Sequence, residues 1–246
     1  MKVLVAIKSV IDHNVTVQIR DDNLGVKTDN VKISANPFDE IALEAAIQLK
    51  EKGIVSEIIV VSCGRDCKTV LQNALAMGAD RAFFVYSNIE LQPLAVAKII
   101  KKMVQEEEPQ IVFLGKQSID NDSCQTGQIL AGLLNWSQAT FASCIDFIDN
   151  RVLVNTEVDF GSKLISVKLP TVITTDLNLN QPRYISLQNL IKAKKKKIEL
   201  INAEEISNEI KARIITLNIK EEKKDKKTVF FNSIDILLNK LKNELI

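Results

Sequence analysis

The stretch "GKQSIDNDSCQTGQ", residues 115–128, crowds hydrogen-bonding side chains into a short segment between the apolar run "PQIVFLG" and the helix-like "ILAGLLNW". A turn between a strand and a helix is a natural anion site, because the first N–H groups of a helix have no partner inside it. Here those donors are the amides from Ser123 to Thr126. Ser123 and Thr126 add hydroxyl donors, and Gln125 or Gln128 add carboxamide donors. Lys116 is the only basic side chain of the stretch, so any phosphate must rely on the backbone. Asp122 is suited to cap the helix by accepting from the amide of Gln125. Asp120 would repel a phosphate if it pointed inward, and it is expected to face a ribose or the solvent. The bland alternative is a well-capped helix and nothing more.

Other chemistry is sparse. No glycine–lysine–serine phosphate loop is present, and no G-x-G-x-x-G follows a strand. His13 is the only histidine, and no Ser/His/Asp or Cys/His arrangement surrounds it. The cysteines are Cys63, Cys67, Cys124 and Cys144, without a second pair at zinc-ligand spacing. Cys63 ends a strand and Cys124 starts a helix, positions where a thiol pKa can fall, although such residues more often fill small spaces. The lysine cluster from Lys192 to Lys197 lacks aromatic platforms, so a solvated surface is favoured over nucleic acid.

Composition sets the frame. The 246 residues carry 32 Lys plus Arg against 31 Asp plus Glu, a net charge of +1. That balance argues against a nucleic-acid binder. No apolar run is long enough to cross a bilayer, and "MKVLVAIK" reads as a first strand instead of a targeting segment.

The elements that must position these residues alternate. "KVLVAIK", "SEIIVVSCG", "RAFFVYS" and "PQIVFLG" read as buried strands separated by helix-length segments. "VTVQIR" and "GVKTDNVKIS" suggest an inserted hairpin turning near Asp22–Gly25. "NPFDEIALEAAIQLKEKG" has Asn36 as a cap, Pro37 in the first turn and Gly53 at the end. A further helix is expected from about Asp66 to Met77. After Trp136, "ATFASCIDFID", "RVLVNTEVDFG", "KLISVKLP" and "TVITTD" are close-set strands, with Asn150 and Gly161 in turns, read as an antiparallel addition. The fold class is therefore α/β: a mostly parallel twisted sheet, helices on both faces, antiparallel strand additions and a C-terminal extended arm. The expected domains are 1–198, a nucleotide-binding unit with the hairpin insertion, and 199–246, the arm. The arm either docks on another chain or packs on its own domain. Ligands of such sheets sit beyond the carboxyl ends of the strands. Ala6–Ile7, Asn36–Asp39, Cys63–Gly64 and Gly115–Thr126 are expected to meet there.

The segments "NPFDEIALEAAIQLKEKG", "VSCG", "ALAMGADRA", "LGKQSIDNDSCQTGQILAGLLNWSQATFAS" and "VKLPTVITTDLNLNQPRYISLQNLIKAKKKKIE" resemble, in order from Met1 to about Glu199, the β subunits of the electron transfer flavoprotein family. The resemblance implies a heterodimer whose α subunit carries most of an FAD, while the β subunit holds a structural AMP. It implies AMP contacts at Ala6, at Asn36, Pro37, Phe38 and Asp39, and at Cys63. It extends them through Gly115, Lys116, Gln117, Ser118, Ile119, Asp120, Asn121, Asp122, Ser123, Cys124, Gln125 and Thr126. The family usually has an asparagine where Cys124 stands and a tyrosine near the flavin where His13 stands. The resemblance still places His13 and Phe38 near the FAD, where a protonated imidazole would favour an anionic flavin. "PRYISLQNLIKAKKKK" resembles the loop by which the family docks on acyl-CoA dehydrogenases, with Leu187 as anchor and Lys192 and Lys195 beside it. Leu187 packing within its own helix is the plainer reading.

The resemblance implies an electron carrier with no catalytic residues of its own. It would accept electrons from those dehydrogenases and pass them to a membrane quinone oxidoreductase, without inserting into the membrane. A bacterial cytoplasm is expected, with a mitochondrial matrix as the alternative. Rival readings are an electron-bifurcating form holding a second FAD, which the "GKQ…QTGQ" and "DLNLNQPRY" patterns disfavour, and an adenine-nucleotide sensor.

Overall fold

The computed structural model describes residues 1–149, 151–206, 210–221 and 228–245, so the expected turn residue Asn150 lies outside them. The strands are β1 (Lys2–Ala6), β2 (Ser9–Ile11), β3 (Ile33–Ala35), β4 (Glu57–Gly64), β5 (Arg81–Tyr86) and β6 (Ile111–Gly115). They continue as β7 (Ser137–Ile148), β8 (Arg151–Val158), β9 (Gly161–Lys168), β10 (Thr171–Thr175) and β11 (Ile198–Asn202). The helices are α1 (Pro37–Glu51), α2 (Lys68–Met77), α3 (Pro93–Glu107), α4 (Thr126–Leu134), α5 (Leu187–Lys194), α6 (Ala203–Ile206) and α7 (Ile234–Leu245).

A nine-stranded sheet runs in the order β11-β5-β4-β1-β6-β10-β7-β8-β9. From β11 to β7 all neighbours are parallel, and β7, β8 and β9 pair antiparallel. The alternating side chains of the central strands divide between two cores. Val3 and Val5 of β1 join one with Leu43 of α1 and Leu71 of α2, while Leu4 joins the other with Ile100 of α3 and Leu130 of α4. Strands covered on both faces read as continuous apolar runs, which is why β1, β4 and β6 were legible.

Three expectations change. "TVITTD" is not antiparallel: β10 lies between β6 and β7 and is parallel to both. All five of its residues are buried, so it has no alternating wet face to mark its partner direction. "VTVQIR" and "GVKTDNVKIS" do not form a ladder. Only Ile19 bridges Val26, and the true antiparallel pair is β2 with β3. Val17 is exposed, so this alternation has no core to face. The second helix begins at Lys68, two residues after the expected start.

One compact unit comprises residues 1–18 and 27–215; the other comprises 19–26 and 216–246. In the first, β11 pairs with β5 at the sheet edge, where composition alone placed the start of the arm. In the second, the Ile219 amide donates to the Asn23 carbonyl at 2.8 Å. Helix α7 exposes Ile234, Leu238 and Leu241.

The close approach of α4 to β10 depends on one glycine. A Cβ at Gly127 would overlap Thr174 Cγ2. Gly127→Ala should therefore cost about 1–3 kcal/mol in denaturant unfolding. Adding Thr174→Ser, which removes that methyl but keeps the hydroxyl that accepts from the Phe141 amide at 3.1 Å, should restore most of the loss. Equal instability of single and double variants would refute the packing account.

Candidate functional site

The ends of β1, β6 and β10 meet the first turn of α1 around the buried carboxylate of Asp39. Oδ2 accepts the Lys8 amide at 2.7 Å and Oδ1 accepts the Gly115 amide at 2.8 Å. Asp39 thus joins the ends of β1 and β6 to the start of α1. A Cβ at Gly115 would come within 2.5 Å of both Asp39 Oδ1 and Phe38 Cβ, so only glycine admits this approach. Thr175 Oγ1, at the end of β10, donates to the Phe38 carbonyl at 2.9 Å. Burial pushes the Asp39 carboxyl up to about 7, and the two amide donors limit the rise.

Asn36 stands at the N-cap of α1 but makes no side-chain cap bond there. Its carboxamide is spent on the neighbouring loop: Nδ2 donates to the Gln117 carbonyl at 2.8 Å, and Oδ1 accepts the Ile119 amide at 3.2 Å. Lys8, which sequence reasoning missed, reaches Ser118 Oγ at 3.2 Å and Asp120 Oδ2 at 2.6 Å. Its signal was its place just past a strand end. Asp120 accordingly faces an ammonium group. Lys116 is likewise paired, with Asp176 Oδ2 at 2.5 Å, and its Nζ lies 5.5 Å from the ring centres of both Phe38 and Phe141.

The expected cap at Asp122 is not made. The N-cap of α4 is Gln125, without a side-chain bond, and Asp122 instead accepts from Gln117 Nε2 at 2.9 Å. The cause is the backbone: Asp122 and Cys124 both take positive φ, 48° and 50°, and turn the chain before the helix starts. Ser118 Oγ and the Ser123 amide both donate to Asn121 Oδ1, and Cys124 Sγ contacts Gln117 Oε1 at 3.4 Å. Side chains of the loop therefore bond mostly to the loop. Among the described residues no acceptor takes the amides from Cys124 to Gln128. Gln128 Oε1 is buried with no donor. The helix end offers free donors and one orphaned acceptor, which suits a ligand carrying both an anionic group and N–H or O–H groups.

The remaining expected residues are dispersed. Ala6 ends β1, and Cys63 lies beyond the β1–β4 register. Burial pushes the Cys63 thiol up, helped by nearby Cys67, as suits a residue filling a small space and not an activated thiol. His13 is at the surface beside Asn14 Nδ2, 3.1 Å away, and Phe38 is buried. Leu187 begins α5 and is 73% exposed, which overturns packing inside its own helix. Lys192 and Lys195 are exposed on α5 and just after it. Among the described residues no cluster of His, Cys, Asp and Glu could hold a metal, and no helix is long and apolar enough to cross a membrane.

Asp39→Asn should destabilise the chain by about 1–3 kcal/mol, because its amide nitrogen would meet one of the two N–H donors. The pH dependence has a definite sign. The native carboxyl titrates near 7 against an ordinary 3.8. Folding therefore takes up a proton between those values, and this group's share of stability falls as pH rises through that window and levels off above it. Urea midpoints from pH 4 to 8 should show that decline in the parent and not in Asp39→Asn; parallel curves would refute it.

Comparison with known proteins places the chain. The family model described as "Electron transfer flavoprotein domain" matches residues 23–206. "Electron transfer flavoprotein subunit beta, mitochondrial" of Arabidopsis thaliana is 49% identical, covering 99% of this chain and 98% of the relative. "Electron transfer flavoprotein subunit beta" of Bradyrhizobium diazoefficiens is 48% identical over 99% and 98%, and that of Homo sapiens 43% over 98% and 97%. With both measures spanning most of the sequence, the chain belongs to the electron transfer flavoprotein family, among its β subunits.

Proposed function

We propose that this chain pairs with an α subunit, holds AMP at the start of α4 near Asp39 and borders an FAD carried mainly by that partner. The pair would take electrons from acyl-CoA and related dehydrogenases and deliver them to a membrane quinone oxidoreductase. The observation that carries the AMP assignment is the start of α4, where free backbone donors stand beside the orphaned acceptor of Gln128. AMP has a phosphate to accept from the first and hydroxyl and amine groups to donate to the second. The flavin would supply the redox chemistry and the AMP none.

The chain's own residues do the holding. Asp39 keeps the strand ends and α1 together, and Asn36 fixes the backbone of Gln117 and Ile119. The nearby lysines are neutralised, Lys8 by Asp120 and Lys116 by Asp176. A monophosphate would therefore be held by amides, and no group is poised to transfer it. This disfavours a phosphate-cleaving enzyme. Docking would use Leu187, whose exposure suits an anchor in a partner's pocket, with Lys192 and Lys195 steering toward acidic surfaces. The C-terminal end of the chain would dock on the α subunit through apolar residues such as those on α7. Among the described residues Ile234 there is 75% exposed.

Two measurements test this. The chain is co-expressed with its α subunit, purified and denatured, and the released nucleotides are identified. One FAD and one AMP per heterodimer is the expected result. Two FADs would assign the site to a second flavin, and no nucleotide would overturn the proposal. Separately, Leu187→Ala should keep the heterodimer and its nucleotides. It should slow electron acceptance from an acyl-CoA dehydrogenase about tenfold or more, as loss of an interface anchor does. An unchanged rate would remove Leu187 from the docking site.

A further inference from the structure

The segment from Leu177 to Ser186 has no regular secondary structure, yet it leads directly to exposed Leu187. It also carries Tyr184, whose side chain is fully exposed. Ile185, between Tyr184 and Leu187, packs partly buried against the core, and polar contacts add to its hold on the loop. Two side chains tie it to α1. Asn180 Nδ2 donates to the Ile41 carbonyl at 3.0 Å. Arg183 makes a far larger set of contacts. Its Nε and Nη2 grip both oxygens of Glu44 at 2.8 and 2.9 Å, and its Nη1 and Nη2 grip both oxygens of Glu51 at 2.6 and 3.1 Å. The Arg183 amide adds a contact to Glu44 Oε2 at 3.3 Å.

The two carboxylates are not equivalent. The Glu44 side chain is 4% exposed and that of Glu51 58%. A buried carboxylate needs a partner, and a planar guanidinium satisfies it only in one orientation. The pairing therefore fixes the direction of the chain at position 183, one residue before Tyr184 and four before Leu187. A surface ion pair alone would not do this, since exposed pairs hold geometry weakly.

We propose that Arg183 is a positioning residue for dehydrogenase docking: clamped between Glu44 and Glu51, it sets the presentation of Tyr184 and Leu187. The inference rests on the reading of Leu187 as the docking anchor. It adds that the loop is preorganised before the partner arrives, so the ordering cost is met in folding and not in binding. The clamp sits on the same helix whose first turn supplies Asn36 and Asp39 to the site. Helix α1 is thus the common support of the site and the docking loop.

The test uses the flavin-loaded heterodimer and an acyl-CoA dehydrogenase turning over its acyl-CoA. Arg183→Lys keeps the charge but cannot make the double fork. It should raise the KM for the carrier about tenfold, the scale of one lost charge-assisted pair, while kcat at saturation and the rate of flavin reduction by dithionite stay at parent values. Amide exchange over residues 177–187 should quicken while that of α1 does not. Removing Arg183 alone strands the buried Glu44, so the double variant Glu44→Gln/Arg183→Gln is measured as well; it keeps a neutral hydrogen bond without the clamp. A raised KM in the double variant supports positioning. Parent-like KM and exchange in both variants, with KM raised by Leu187→Ala, would overturn the role of Arg183 and leave the docking reading intact. Parent-like KM in Leu187→Ala itself would overturn the docking reading and this inference with it.

Discussion

One buried carboxylate holds the functional end of this protein together. Asp39 accepts an amide from the chain leaving β1 and another from the last residue of β6, and it does so from the first turn of α1. Burial makes its charge costly and pushes its carboxyl up to about 7. The same burial makes the two N–H donors hard to replace, because any substitute leaves one of them facing another donor or an empty site. Gly115 is the counterpart of that carboxylate. Its missing side chain lets α1 come close enough for the bond to form.

From this junction the arrangement of the 115–128 loop follows. With α1 anchored, the Asn36 carboxamide is aimed at the 115–119 backbone and not at its own helix. The loop then turns twice through positive φ at Asp122 and Cys124 and delivers α4 with its first amides unclaimed. The ionic side chains nearby neutralise one another. What is left for a ligand is oriented backbone polarity, which can hold a phosphate without activating it. That suits the structural nucleotide site proposed for this chain.

The opposite end of α1 has a different task. Arg183 and Asn180 fasten an otherwise irregular segment to it, and that segment leads to an exposed leucine. The helix lies against the sheet through Leu43 and its neighbours, so its position is set by the core of the fold. Side chains at its start and near its end inherit that rigidity, and the polar contacts convert packing into placement.

How much of this was legible divides along physical lines. The parallel strands β1, β4 and β6 and the helix α1 could be read directly, because strands covered on both faces are continuous apolar runs and helices repeat every 3.6 residues. The meeting of Phe38 and Asp39 with Gly115 followed from parallel topology. The family was legible as resemblance in long motifs. By contrast, β10 looked like one more antiparallel strand, since a fully buried strand does not reveal its direction, and β11 was hidden in a lysine- and glutamate-rich composition. Asp122 and Asn36 carried capping signatures, yet Asn36 was recruited by the distant backbone at 117 and 119, and Asp122 by Gln117 within its own turned loop. Lys8, the Asp39 bridge and the Arg183 clamp join residues 31 to 139 positions apart. Local sequence determined which segments form elements and which faces they bury, because those properties depend on near neighbours. Only the tertiary structure decided which polar groups meet, because a hydrogen bond is chosen by distance in space and each donor donates to whichever acceptor the packing brings within reach.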